Sequence, residues 1–289
     1  MLRCALNTAM LIALCTLGST SRSQDTAAKQ DQSQAKEWAE RASQLALAEA
    51  RAYEFHLGKD QGLPLKLVEQ PVLKWSNTYE ASVYGNVFVW TRSGRPQVIA
   101  SIFKFFSPKV SFDGEFHSLA AGPIRATKQD ENVWQPAEGG IELKPLADAA
   151  APAKSRASRL TQMRELARSF SAEVTTVIEP KTKHRLRLLP QPLYRYGGES
   201  EDLLDGALFA FARETDPDVV LMIEARGDKP PRWEFALARM HVGALSARYH
   251  DKEIWSVGEH KHPYLRKSEP YTLFQDLREP KLDRSRISP

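Results

Sequence analysis

Ser82–Thr91 reads SVYGNVFVWT, Arg92-Ser93-Gly94-Arg95 follows, and Pro96–Phe106 reads PQVIASIFKFF. The two flanking runs are rich in β-branched and aromatic residues, and a short polar break with a glycine separates them, which predicts a β-hairpin. Gly94 is able to take the positive φ of such a turn without a Cβ penalty. Apolar groups fall on both faces of each run, so the hairpin is expected to be covered on both sides.

Outward from this hairpin the chain continues in the same style. Pro71–Trp75, Phe112–Leu119, Pro123–Thr127 and Gly140–Leu143 read as further strands. Beyond them lie Arg185–Leu189, Ala207–Arg213, Val219–Arg226, Arg232–Met240, Leu245–His250 and Ile254–Val257, several separated only by turn-forming segments such as Asp216-Pro217-Asp218. Short connections imply antiparallel neighbours. Two segments have helical period instead. Trp38, Ala42, Leu45, Ala48, Ala52 and Phe55 predict a helix over 35–57, and Leu160, Met163, Leu166, Ala167, Phe170 and Val174 predict a second that Ser155 or Ser158 could cap. The expected fold class is α+β, mainly antiparallel sheet in meander hairpins with two amphipathic helices. Helix followed by strands occurs in both halves, but no residue-level identity between them marks a repeat.

The expected domain organisation has six parts. Residues 1–23 read as a signal peptide, with Arg3, an apolar run from Cys4 to Gly18 and small polar residues to Ser23; an ordinary buried N-terminal helix is the alternative. Residues 24–34 read as a flexible spacer, 35–146 as helix plus sheet, 147–154 as a linker, 155–268 as helix plus meander that could form one domain with the preceding half, and 269–289 as a surface tail. The 289 residues carry 40 Lys+Arg and 36 Asp+Glu, a net charge of +4. Loss of the leader removes Arg3 and Arg22 and no acid, so the mature chain would carry +2. Cys4 and Cys15 leave with it, and a cysteine-free mature chain has neither disulfides nor thiol chemistry. The expected location is secreted or periplasmic, with no membrane span after cleavage.

Candidate chemistry is sparse. No GxSxG, HExxH, P-loop or GxGxxG occurs. A near-neutral charge excludes a dedicated nucleic-acid binder, yet it hides a basic block over 151–196 beside an acidic block over 197–228, which could face each other across a sheet. Within the first block Lys181, Lys183, Arg185 and Arg187 form a candidate polyanion patch, suited to an acidic glycan or cell-envelope polymer; a charge run is ordinarily a solvated face. His260 and His262 point the same way if extended and could chelate a metal with His250, although the spacing is unspecific and no metal is expected. His117 adjoins Ser118, but neighbours on a strand face opposite ways and cannot easily pair. Trp75, Trp90, Trp134, Trp233 and Trp255 suit core packing better than sugar stacking. No cofactor is implied.

Val83–Trp90, Arg95–Ser101 and Glu115–Leu119 together resemble a family of exported proteins of planctomycete-type bacteria that brings no assigned activity. The resemblance spans about Trp38 to Trp255 and implies export and a common fold, with no catalytic residue. The functional expectation is an exported, non-catalytic binding or structural module. The alternative is a hydrolase of polysaccharides or esters working through Asp, Glu or His from separate segments. A water-accessible pocket where two or more of His117, His184, His241, His250 or nearby acids converge would sink the non-catalytic reading, and a closed apolar sheet with those groups scattered would sink the enzyme.

Overall fold

The computed structural model describes residues 19–282 except 59–61, 79–80, 178–179, 198–201, 228–229, 263 and 265–266; Cys4, Cys15 and most of the expected leader lie outside the described residues. Helix α1 (Ser19–Arg51) leads into β1 (Tyr53–Leu57), β2 (Lys66–Leu67), β3 (Leu73–Asn77), β4 (Ser82–Arg92), β5 (Arg95–Ser107), β6 (Ser111–Ser118), β7 (Ile124–Lys128) and β8 (Glu131–Trp134). The short β9 (Lys144–Pro145) and helix α2 (Arg156–Arg168) precede a second series: β10 (Phe170–Thr175), β11 (Lys183–Leu188), β12 (Tyr194–Tyr196), β13 (Leu203–Ala212), β14 (Pro217–Arg226), β15 (Arg232–Arg239), β16 (Ala244–Tyr249) and β17 (Lys252–Val257). Strand β18 (Tyr271–Phe274) closes the order. The class is α+β with mainly antiparallel sheet.

Four expectations are corrected. The first helix starts at Ser19, so the stretch expected as a spacer is helical, and it ends at Arg51. Tyr53–Leu57 is a strand, because Tyr53, Phe55 and Leu57 alternate with Glu54 and His56 and that period of two prevails over the helical spacing upstream. The expected surface tail contains β18, with Tyr271 and Thr272 buried. Phe170 and Val174 likewise belong to β10, since α2 stops at Arg168 behind the Ser155 cap, whose side chain accepts the Ser158 N–H.

The hairpin forms as predicted, with Ser93 and Gly94 both at positive φ. Strands β2 and β3 pair with β4, then β4 with β5 and β5 with β6, while β1 pairs with β7 and β7 with β8. The second series repeats this wiring. Strands β11 and β12 pair with β13, then β13 with β14 and β14 with β15, while β10 pairs with β16 and β16 with β17. Registers repeat as well. Trp75 lies opposite Gly85 and Tyr196 opposite Gly206; Trp90 lies opposite Val98 and Phe211 opposite Val219; Ala126 lies opposite Trp134 and Ala247 opposite Trp255. A bulge follows Ala126 and another follows Ala247, and the positive-φ pairs Gln129-Asp130 and His250-Asp251 turn the same corner. The same 121-residue spacing separates each pair of counterparts from β2 to β8.

The halves are therefore two copies of one structural unit, a relation that side-chain identities alone do not reveal. They exchange edges: β9, which follows the first unit, pairs with β15 of the second, and β18, which follows the second, pairs with β6 of the first. Among the described residues the wiring differs at the β10–β11 pairing, which joins the second unit's strands into a single sheet.

Alternation along β4 explains the layers. Phe88 and Trp90 face the core under α1 with Leu45, Phe55 and Phe116. Val87 and Val89 face the opposite way and meet Leu208, Val220 and Met222 between the two central sheets. Phe209, Phe211 and Leu221 face the core under α2 with Met163. Each such aliphatic or aromatic side chain contributes about 1.5–3 kcal/mol when fully buried. Coverage on both faces of the hairpin is thus what the sequence leads one to expect, and its cause is the second copy.

Candidate functional site

Phe103 and Phe105 continue the face of β5 that Ile99 and Ser101 place between the sheets. At this end of the interface the packing is incomplete. A cleft of about 360 Å³ lies between Trp75, Val83, Phe103 and Phe105 on one side and the β13–β14 turn with the end of β15 on the other, and β18 borders it with Tyr271 and Leu273. Into it converge Glu115 from β6, Asp216 and Asp218 at the start of β14, and His241 just beyond β15.

The polar groups are held firmly. The Tyr271 hydroxyl donates to Glu115 Oε2 at 2.6 Å, and the Trp75 indole N–H donates to the Ser101 hydroxyl at 2.9 Å. The Arg213 backbone N–H donates to Asp218 Oδ2 at 2.9 Å. The Arg239 guanidinium lies 5.2 Å from the Tyr271 ring centroid and donates to the carbonyls of His241, Val242, Gly243 and Gly258, bracing the loop that carries His241. The Gly243 N–H donates to His241 Nδ1 at 2.9 Å, so in the neutral ring the proton sits on Nε2. Asp216 Oδ1 is sealed from solvent with no hydrogen-bond partner.

Burial dominates the titration of these groups. It pushes the Glu115 carboxyl up to about 8, against the Tyr271 hydrogen bond, with the Asp218 charge adding to the rise and Arg239 opposing it. It raises Asp218 to about 6, opposed by the Arg213 N–H and charge. Asp216 is raised well above the ordinary carboxylate range by burial and then by the charges of Glu115 and Asp218. Burial lowers His241 to about 4, with Arg213 and Arg239 pushing the same way. At neutral pH the cleft thus presents a protonated Glu115 and a neutral imidazole. His117 is also lowered to about 4 by burial, but it sits within the sheet with Nδ1 against the Ser118 carbonyl and does not line the cleft.

The opposite end of the same interface carries the counterpart positions. Arg95 stands where Asp216 does in the other unit, Glu224 where Phe103 does, Arg226 where Phe105 does, Tyr196 where Trp75 does and Ala236 where Glu115 does. Here Arg95 Nε donates to Glu224 Oε1 at 2.7 Å, the Tyr196 hydroxyl donates to the same oxygen at 2.9 Å, and Arg226 lies 2.6 Å from Glu224 Oε2. Glu224 is fully buried. An internal guanidinium occupies the place that is open at the first end.

The residues nominated from the sequence lie elsewhere. Lys181 pairs with Glu259 at 2.8 Å, Lys183 with Glu173 at 2.6 Å, and Arg187 donates to the Glu214 carbonyl at 2.8 Å, while Arg185 lies exposed on β11. The basic and acidic blocks do meet: Arg159 and Arg195 both bond Asp205, which is fully buried. His250 occupies a turn against Tyr249, His260 lies 3.4 Å from Glu269, and His262 contacts the Tyr264 hydroxyl. No group of three metal-capable side chains gathers among the described residues. Trp90, Trp134 and Trp233 are core residues, and Trp75 alone of the five tryptophans lines the cleft.

Glu115, Asp216, Asp218 and Tyr271 were not nominated by the sequence. Asp216-Pro217-Asp218 read as a turn and Tyr271 as tail, and only their three-dimensional convergence marks them. No helix among the described residues is long and apolar enough to cross a membrane. Comparison with protein-family models, with curated proteins and with solved structures finds no match to this chain.

Proposed function

We propose that the chain is an exported small-molecule-binding module whose ligand enters the cleft between Trp75, Phe103 and the Asp216–Asp218 turn. Preformed concavity with apolar walls and a few convergent polar groups is the ordinary form of such a site. The observation that carries the reading is the Asp216 carboxyl, which lines a cleft of about 360 Å³ and whose buried Oδ1 has no hydrogen-bond partner. A buried polar atom without a partner costs about 1–3 kcal/mol, a cost a ligand would remove. Export is supported by the leader pattern at the N-terminus.

A protein-observed NMR screen with a chemically mixed fragment set tests the reading. Fragments are expected to shift the Trp75 indole N–H together with the amides of His241 and Gly243. Hits gathered elsewhere, with these signals unmoved, would overturn it.

One observation favours hydrolysis as a second reading. Glu115 holds its proton near neutral pH while Asp218 titrates near 6, and carboxyl groups driven apart in this way can divide acid and base roles. Chromogenic esters and glycosides offered to the wild type and to Glu115→Gln decide it. Turnover lost in the variant supports catalysis, and equal rates in both remove it.

A further inference from the structure

The duplicated unit supplies its own guide to what the cleft accepts. At the closed end, Arg95 reaches from the β4–β5 turn across the interface to the fully buried Glu224, and its Nη2 lies 3.5 Å from the Met222 sulfur. At the open end the counterpart of Arg95 is Asp216 and the counterpart of Glu224 is Phe103, so the acid has moved to the turn and the cation facing it is the exposed Arg213 rather than a buried guanidinium. We propose that the cleft takes a cationic ligand, an ammonium or guanidinium group on an apolar body, with its head at Asp216 and Glu115 and its body against Phe103 and Phe105. The inference rests on the cleft being a ligand site.

Three further features agree. Asp216 lines the cleft and its buried Oδ1 has no hydrogen-bond partner, so a cationic head that draws the side chain toward it would supply a charge-assisted hydrogen bond. Trp75, Phe103 and Tyr271 bring aromatic rings to the lining, and aromatic faces attract a desolvated cation. The charged groups facing the space also favour a cation. Four acidic side chains, Glu115, Asp216, Asp218 and Glu214, line the space against Arg213; burial holds the proton on Glu115 in the empty cleft, and a cationic head would favour its ionised form, while the nearby Arg239 donates to four loop carbonyls. Arg213 is the one cation lining the cleft among the described residues and provides the opposing expectation, an anionic ligand.

The test uses three probes of one shape and different charge on the wild-type protein: phenethylammonium, 2-phenylethanol and phenylacetate, titrated at neutral pH with cleft signals followed by NMR. Phenethylammonium is expected to bind about tenfold or more tighter than the alcohol. Equal or tighter binding of the alcohol or of phenylacetate at the same signals overturns the cationic preference and leaves the cleft reading standing. Binding of none of the three at the cleft removes both. Asp216→Asn is expected to reduce the amine to the affinity of the alcohol, and an unchanged amine affinity in that folded variant also sinks the inference. The wild-type comparison stands even where the variant fails to fold.

Discussion

Two ends of one interface, built on counterpart positions, differ in how they treat buried charge. At the closed end Glu224 is neutralised inside the chain by Arg95 and Arg226 and bonded by the Tyr196 hydroxyl. At the open end the Tyr271 hydroxyl is the one direct partner of Glu115 among the described residues, and burial holds the proton on its carboxyl. A duplicated scaffold thereby points to its own site: where both copies close, packing is the purpose, and where one copy stays open, the missing group is what a ligand can bring.

The largest expected effect breaks the closed end. Arg95→Ala leaves the fully buried Glu224 short of one partner and is expected to cost about 3 kcal/mol, read as the urea midpoint. Arg213→Ala, at the exposed counterpart of Arg92, should stay within about 0.5 kcal/mol of wild type. Comparable losses in both variants would erase the contrast between the ends.

A second pair of variants probes the duplication itself. A Cβ on Gly85 would fall 2.1 Å from the Trp75 ring, and one on Gly206 would fall 2.5 Å from the Tyr196 ring. Gly85→Ala and Gly206→Ala should each cost about 1–3 kcal/mol, with Gly85 the larger because the Trp75 indole is also tied to Ser101. Gly122→Ala, where an added Cβ meets nothing within 4 Å, is the control. A neutral Gly85→Ala would show that the ring can yield and that the close approach is not a shared design.

The pH profile separates the ends more gently. Glu115 titrates near 8 when folded and near 4.5 when unfolded, so over that window the unfolded chain has released a proton that the folded chain retains. Its contribution is full below 4.5 and drains as pH rises to about 8, by up to about 1.4 kcal/mol per pH unit. His117 and His241 act in the opposite sense: lowered to about 4, they contribute fully above 6.5 and lose that contribution as pH falls through 4. Thermal unfolding against pH should therefore show Glu115→Gln removing part of the fall in stability between about pH 4.5 and 8, with the histidine-dependent loss toward pH 4 unchanged. A variant profile parallel to wild type would refute the raised Glu115.

The smallest effect concerns the basic strand. Lys183→Ala removes a solvent-exposed pair with Glu173 and should change stability by no more than about 0.5 kcal/mol. Replacing Lys181, Lys183, Arg185 and Arg187 by Ala tests the acidic-polymer reading, and heparin retention unchanged by that replacement would remove it.

Much of the fold was legible because period-two patterns and turn residues are local. The 82–106 hairpin, the second helix's cap, the meander from 207 to 239 and the hairpin from 245 to 257 follow from them, whereas β16 pairs with the distant β10 rather than with β15. The duplication was not legible, because counterpart residues mostly keep class rather than identity: Trp75 with Tyr196, Trp90 with Phe211, Val87 with Leu208. Gly85 with Gly206, Pro96 with Pro217 and Trp134 with Trp255 are identities too widely spaced to stand out without the registers. Strand β18 was missed because four residues in a charged, proline-dotted segment carry no strand signal of their own; their hydrogen bonds come from β6.

The sequence by itself determined which segments extend, which coil into helix, and that the hairpin at 82–106 is covered on both faces, since these depend on side-chain period and backbone preference within a few residues. Only the tertiary structure decided what covers it, how the two units trade edge strands, and where Glu115, Asp216, Asp218, His241 and Tyr271 meet. Those residues come from four separate stretches of chain, and desolvation, which turns ordinary carboxyls into a perturbed cluster, exists only once the two sheets have packed.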